Sequence, residues 1–514
     1  MYRIGVDVGG TNTDAVVMSG RNIVHAVKVP TSADVTDGLM EALRQVQQGA
    51  GIAAADVALV VIGTTHFTNA VIQRRGLSPT AVVRLCLPAA QCLPPMVDWP
   101  SDLAGVVGDH HFLAHGGVEV DGPPISSFEP AEITRIGGEI RARGLKAIAV
   151  TGVFSPVRGD FERQAGELLA AACPEAAITL SCAIGQVGLL ERESATILNS
   201  ALLELAGVTV KALRAGVAQC GLECPMYLSQ NDGTLLDAAQ AERFPVLTFA
   251  SGPTNSMRGA AFLTGESEAI VIDVGGTTTD VGLLHRSFPR QASSTVDIGG
   301  VRTNFRMPDV FSIGLGGGSI VDVTSRPPRV GPRSVGFELT RRARVFGGEV
   351  LTATDIAVAS GLARLGDPSR VADLERSLVE QCRLGIERML DAAVDRSRIS
   401  PEPIPVIAVG GGSILVPDRL GGLPVIRPGH HAVANAIGAA IAQTSGEVDR
   451  VYSLDTLSRE AALAEAEAEA RQKAIASGAL PDSIVITERE DVPLAYLRGN
   501  ATRVRVKVVG DMRA

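Results

Sequence analysis

An α/β protein with two duplicated lobes around an anion-binding cleft is predicted by three observations. The segment Val6-Asp-Val-Gly-Gly-Thr-Asn-Thr-Asp14 returns as Ile272-Asp-Val-Gly-Gly-Thr-Thr-Thr-Asp280, identical at seven of nine positions. A third glycine loop, Gly410-Gly411-Gly412, follows the apolar run Val406-Ile-Ala-Val409. Apolar runs at 57–62, 80–87 and 146–153 alternate with amphipathic stretches at 36–48 and 160–172, the pattern of a sheet flanked by helices.

Each copy of the repeat follows one apolar run and precedes another, so each reads as strand, two-glycine turn, strand. Paired glycines such as Gly9-Gly10 and Gly275-Gly276 let backbone N–H groups approach an anion with no Cβ in the way. Thr11 and Thr13 in the first copy, and Thr277, Thr278 and Thr279 in the second, add hydroxyls suited to phosphate oxygens. Asp7 and Asp273 end their strands just before the glycines, where each can hold a hydrated Mg²⁺ or polarise a water. Two matching copies predict a phosphate bracketed from both sides. Gly410, Gly411, Gly412 and Ser413 suit a strand end passing close to a flat ligand such as a nucleoside. No GxxxxGK[ST] segment exists, which excludes a P-loop, and a Rossmann turn requires a helix where the repeat reads as strand.

Composition narrows the function classes. Among 514 residues, 47 Lys+Arg against 56 Asp+Glu give a net charge of −9. With no basic run, one Trp and four Tyr, the chain lacks both the electrostatic footprint and the stacking platforms of a nucleic-acid binder. No stretch reaches 18 uninterrupted apolar residues, so no membrane span is expected. The N-terminus opens directly into a strand without a signal-peptide core, and seven scattered cysteines read as thiols of a reducing compartment, the cytoplasm. His110, His111 and His115 form H-H-x3-H in a Gly/Asp-containing stretch and read as surface loop histidines; His66 is placed facing the cleft.

The repeat, its mid-chain copy and the strand–glycine loop together resemble the actin-like ATPase superfamily of sugar kinases, actin and Hsp70-type chaperones. Within it, the chain resembles the hydantoinase/oxoprolinase family, A-type (ATPase) subunit. The segments that carry the likeness are Ile62-Gly-Thr-Thr-His-Phe-Thr-Asn-Ala-Val-Ile-Gln-Arg-Arg-Gly76, Arg143-Gly-Leu-Lys-Ala-Ile-Ala-Val150 with Glu162-Arg163, and Ser229-Gln-Asn-Asp-Gly-Thr234. Ser251-Gly-Pro253, Gly314-Leu-Gly-Gly-Gly-Ser-Ile320 and Val330-Gly-Pro-Arg-Ser334 follow in the family's order. The likeness thins over 335–348, where the glycines and the following Thr352-Ala-Thr-Asp355 match.

The resemblance implies two ribonuclease-H-like domains around a nucleotide cleft, with ATP and Mg²⁺ as cofactors. It implies ATP-dependent hydrolysis of a cyclic amide (hydantoin, 5-oxoproline or lactam), by phosphorylation of the amide oxygen. A B-type subunit is the expected partner, and a homo-oligomer is compatible. A ketone carboxylase subunit, a small-molecule kinase and a non-enzymatic actin-like switch are the alternatives. Asp7 and Asp273 would hold the metal or water. The substrate would lie between Thr64, Thr65 and Asn69 and either Ser251-Gly252 or Gly316-Gly317-Gly318. The expected domains are 1–190, 191–445 with a hinge helix at 432–442, and an appended α+β unit at 446–514, a short form without the long C-terminal domain of the larger members. The small-residue helix around 194–206 is expected to cross that hinge helix. The appended unit reads as a helix at 457–476 and two edge strands at 483–487 and 502–509.

Overall fold

A computed structural model describes residues 1–30, 35–120, 122–292, 295–304, 307–398, 400, 402–455, 457–495 and 500–512. The fold is α/β, and each of its two lobes is centred on one copy of the repeat, as expected. Both repeat copies are antiparallel hairpins with the same register: Asp7 faces Asp14, and Asp273 faces Asp280. Their tips close alike, Gly9 N–H donating to Asn12 O at 3.1 Å and Gly275 N–H to Thr278 O at 2.9 Å.

Each hairpin sits in the middle of a sheet, and each has a parallel strand on its outer side. Tyr2–Val8 pairs with Val57–Thr64, and Ala269–Val274 pairs with Val406–Val409. The first sheet has six strands and also holds Asn22–Pro30, Met226–Ser229 and Leu235–Asp237. The last two strands return to it from beyond residue 190, so the division of the chain at 190 and 445 stays a proposal that has to accommodate this crossing. A separate all-parallel sheet, in the order His111–His115, Thr80–Leu87, Ala147–Gly152, Ala177–Leu180, is inserted between strands of the first. His111 and His115 therefore lie on a strand, not in a loop. They pair with Asp109 at 3.0 Å and Glu132 at 3.2 Å.

The helix Leu189–Gln219 is long and apolar enough to cross a membrane by length and composition, yet 61% of that apolar window is buried inside the protein. It also carries charge into the core. Arg84 of the inserted sheet and Glu193 of the helix form a fully buried bidentate pair, Arg84 Nε donating to Glu193 Oε1 at 2.7 Å. The neighbouring Arg192 donates to Ser181 Oγ at 2.9 Å and to Gly152 O at 2.5 Å. These bonds commit the helix to the inserted sheet. The helix that crosses the hinge helix is instead Ser251–Thr264, which packs against Ala434–Ala440. Backbones touch there. A Cβ on Gly259 would lie 1.9 Å from Ala434 O, and one on Gly438 would lie 1.8 Å from Asn255 O.

The C-terminal unit is a three-stranded sheet under the helix Arg459–Ala476. Ala462, Ala466, Ala470 and Ala474 form its fully buried stripe. Glu465, Glu467 and Glu469 face outward and pair with arginines and Lys473. Ala501–Gly510 is the central strand rather than an edge, because Thr444–Ser453, where the sequence had given no strand signal, flanks it opposite Val485–Pro493. Its Lys507 reaches the buried Asp232 of the first lobe at 2.5 Å, which docks the unit.

Removing one partner of a buried ion pair strands the other charge. Glu193→Gln is expected to cost about 3–5 kcal/mol in urea unfolding, whereas Arg84→Met combined with Glu193→Leu should recover most of it. An equal loss in the double variant would show that the guanidinium's packing, not its charge, is what matters.

Candidate functional site

The two hairpin tips face each other across a cleft of about 570 Å³. Gly9, Gly10 and Thr11 line one side, and Gly275, Gly276, Thr277 and Thr278 the other. Gly410, Gly411 and Gly412 close a third side. Asp7, Asp14, Asp273 and Asp280 all reach the cleft, as the shared hairpin register requires.

Thr13 and Thr279 do not. Side chains alternate along a strand, and both threonines are fully buried on the face away from the tip; Thr279 Oγ1 donates to Leu315 O at 2.6 Å. Ser413 is also buried behind its loop. Of the residues expected at the substrate, Thr65, Asn69, Gly252 and Gly317 line the cleft. Asn69 Nδ2 donates to Thr65 Oγ1 at 3.2 Å. Thr64 and Ser251 are buried one layer below, Ser251 Oγ donating to Thr64 O at 3.3 Å. Gly316 and Gly318 buttress the second tip from behind: Gly318 N–H donates to Gly276 O at 2.7 Å, and a Cβ on Gly316 would lie 2.6 Å from Thr277 N. His66 is half-buried outside the cleft, and burial lowers its pKa.

The glycine loop after Val409 has a packing reason as well. Gly410 has φ of +84°, and a Cβ there would lie 2.2 Å from Asp273 Oδ1; Gly411 faces open space. Gly410→Ala is therefore expected to destabilise the chain by about 2 kcal/mol or more, with Gly411→Ala within about 0.5 kcal/mol of the parent. Thermal melts of the two variants distinguish steric from ligand-facing glycines.

Four carboxylates in one enclosure need neutralising, and Lys28 is the single cation among the described lining residues. Its Nζ lies 2.5 Å from Asp14 Oδ1. Asn435 Nδ2 donates to Asp7 Oδ2 and Asp14 Oδ2, both at 2.9 Å. On the other side Ser256 Oγ donates to Asp273 Oδ2 at 2.5 Å, and Ser312 Oγ donates to Asp280 Oδ1. Burial, then the charges of Asp14 and Asp273, push Asp7 up to about 7. Burial and the Asp273 charge do the same to Asp280, also to about 7. Burial raises Asp14 and Asp273 too. Two carboxylate oxygens, Asp7 Oδ1 and Asp14 Oδ1, are buried with no hydrogen-bond partner; Lys28 offsets the second as an ion pair, and Asp7 Oδ1 is left with neither.

That orphaned hard oxygen suits Mg²⁺. No group of three or more His, Cys, Asp or Glu side chains able to hold a metal exists among the described residues. This donor set matches an ion that keeps its waters and is bound through one or two carboxylates plus ligand phosphates.

Lys28, Asn435, Ser256 and Gly63 were not singled out from the sequence. Lys28 was within reach, because it lies opposite Asp14 in the third strand of the same meander. Gly63 leaves room for Asp7, since a Cβ there would lie 2.5 Å from Asp7 Oδ1. An apolar wall of Leu339, Phe346, Leu365 and Ile414 was likewise unforeseen.

Two family descriptions match the chain: the hydantoinase/oxoprolinase N-terminal region over residues 3–173 and hydantoinase/oxoprolinase over 192–367. The chain belongs to the hydantoinase/oxoprolinase family. It is 25% identical over 431 residues to the caprolactamase subunit alpha of Pseudomonas jessenii, covering 77% of this chain and 60% of that one. It is 24% identical over 437 residues to the acetophenone carboxylase gamma subunit of Aromatoleum aromaticum, covering 76% and 59%. The chain thus spans about three fifths of the length of these curated relatives. In fold it matches the crystal structure of the ATP-dependent caprolactamase from Pseudomonas jessenii, with a TM-score of 0.78 at 20% identity over all of this chain and 88% of that one. Nucleotide-free acetone carboxylase matches with a TM-score of 0.73 at 15% identity, again over all of this chain and 88% of the other.

The raised carboxylates fix the sign of a pH effect. Asp7 and Asp280 bind a proton more tightly in the folded chain than in the unfolded one, where Asp titrates near 3.9. Their folded forms therefore hold full stability below about pH 4 and lose it as pH rises through about 7. Without divalent cation or nucleotide, urea unfolding is expected to give a lower midpoint at pH 8 than at pH 6. Asp280→Asn should flatten that slope by up to about 1.4 kcal/mol per pH unit. An unchanged slope in Asp280→Asn would remove that carboxyl as its source.

Proposed function

We propose that this chain binds and cleaves ATP between its hairpin tips and uses the γ-phosphoryl group to activate a cyclic amide for hydrolysis. The observation that carries the reading is the meeting of Asp7 and Asp273, equivalent residues of a duplicated hairpin, in one glycine-walled cleft. In this reading Gly9, Gly10 and Thr11 hold one side of the phosphates and Gly275–Thr278 the other through backbone N–H groups and hydroxyls. Asp7 and Asp273 hold Mg²⁺ or water, and the Mg²⁺ supplies charge neutralisation on the phosphates. Lys28, freed from Asp14, is placed to neutralise charge developing during transfer. Gly410–Gly412 and the apolar wall of Leu339, Phe346, Leu365 and Ile414 take the nucleoside. Thr65, Asn69 and Gly252, beside Asp7, take the amide; Thr64, Ser251, Gly316, Gly318 and Ser413 support these walls.

Amide activation makes chemical sense there. An amide carbonyl resists water because the nitrogen lone pair is delocalised. Phosphorylating its oxygen removes that protection and supplies a good leaving group. The lactam class is favoured by the likeness to a caprolactamase subunit. The likeness to a carboxylase subunit keeps phosphorylation of an enolate as the second reading. Because the relatives are named as subunits, a separate B-type subunit is the proposed partner. Seven free cysteines agree with a cytoplasmic setting.

The test is phosphate release from ATP and Mg²⁺, first alone and then with caprolactam, hydantoin, 5-oxoproline and a simple ketone, each with and without bicarbonate. Stimulation by one cyclic amide, reduced by about 100-fold or more in Asp273→Ala, is expected. Stimulation by the ketone alone would move the assignment to the carboxylase class. Absence of nucleotide binding would remove it altogether.

A further inference from the structure

The hinge crossing and the two carboxylates are linked by a symmetry that the repeat motif does not contain. In the helix Ser251–Thr264, Asn255 O contacts the position of Gly438; in the helix Ala434–Ala440, Ala434 O contacts the position of Gly259. The same chain spacing separates 255 from 434, 256 from 435 and 259 from 438. The crossing is therefore a local two-fold, and Ser256 and Asn435 are equivalent positions in it. Each helix carries its residue across to the other lobe's hairpin. Ser256, on the helix leaving the first sheet, donates to Asp273 of the second. Asn435, on the helix leaving the second sheet, donates to Asp7 of the first.

We infer that Ser256 and Asn435 are a reciprocal pair of positioning residues that couple the lobe angle to both carboxylates at once. Glycine contacts make the crossing rigid along its backbone, so a change of crossing angle moves Oγ of Ser256 and Nδ2 of Asn435 together. Closure on a nucleotide then sets Asp273 and Asp7 in the same step, and an open cleft leaves both misdirected. The pair is chemically unequal. Asn435 bridges two carboxylates, Asp7 and Asp14, whereas Ser256 reaches Asp273 alone, so loss of the amide is the more severe.

This inference rests on reading the cleft as a nucleotide site, and the experiment separates the two. ATP binding is measured by calorimetry, and cleavage by single-turnover phosphate release with enzyme in excess. Ser256→Ala and Asn435→Ala are expected to leave the Kd for ATP within about threefold and to lower the cleavage rate about 10–100-fold, Asn435→Ala more. Ser256→Thr, which keeps the hydroxyl, should restore most of the rate. The double Ala variant should fall no more than about threefold below Asn435→Ala, because both residues serve one motion. If Asn435→Ala fails to fold, Asn435→Leu, which keeps the volume, removes the donor and adds no charge, takes its place in the cycle. Multiplicative effects of the two substitutions, or losses confined to Kd, would overturn the coupled role. So would a parent chain that binds ATP without cleaving it. A parent chain that binds no ATP would instead overturn the reading of the cleft.

Discussion

The enclosure of four carboxylates beside one lysine is the constraint on which this molecule's architecture turns. Like charges directly opposite in an antiparallel pair repel, and burial raises the cost. Two such pairs, Asp7 with Asp14 and Asp273 with Asp280, stand at equivalent places. Each is made tolerable by donors from outside its own hairpin: Lys28 and Asn435 for the first, Ser256 and Ser312 for the second. Those donors come from the strand beside each hairpin, Lys28 opposite Asp14 and Ser312 opposite Asp280, and from the two crossing helices. The lobes and the hinge are thus bound to the site by electrostatics as well as by packing. The remaining deficit of positive charge is what a cation with a phosphate ligand would satisfy.

Much of this was legible in the sequence, and the reasons are local. A nine-residue repeat with paired glycines specifies strand, tip and strand, and period-two alternation places both aspartates on one face. The same alternation should have excluded Thr13 and Thr279 from the cleft, since each is the strand neighbour of an aspartate, Asp14 or Asp280, that faces it. Counting strand register would have found Lys28. What no local pattern could supply was the hinge. Ser194–Ala206 and Ala432–Ala442 both carry many small residues, yet only the second joins the crossing. The first lies in a helix whose Arg192 and Glu193 are committed to the inserted sheet, and whether a buried charge finds a partner is a tertiary fact. Likewise Thr444–Ser453 reads as an unremarkable polar stretch until Ala501–Gly510 pairs along its length.

The C-terminal unit shows how a polar seam can still fix an orientation. Its helix packs chiefly by alanines, with Leu463 beside them and Gly446 beneath so closely that a Cβ would lie 1.9 Å from Ala470 O. Such a surface buries little apolar area per residue and specifies direction weakly. The specificity comes from Lys507, which is 2% exposed and can be accommodated only where Asp232 meets it. Asp232 is itself held by Thr234, whose N–H and Oγ1 both donate to it, in the Ser229–Thr234 segment that carries family resemblance. That segment thus has a structural use as a receptor for the C-terminal unit.

The duplicated halves are not used equally, and the inequality follows from where the neutralising groups sit. The first hairpin has a cation and a bridging amide, and still leaves Asp7 Oδ1 without a partner. The second has only hydroxyl donors, and a glycine loop pressed against Asp273 Oδ1. A carboxylate with a free oxygen beside a releasable lysine is suited to direct contact with an incoming ion. A carboxylate wedged by Gly410 and held by Ser256 is better suited to orient a water in that ion's shell. Symmetry of backbone brings the two aspartates together, and asymmetry of their partners makes them chemically unequal.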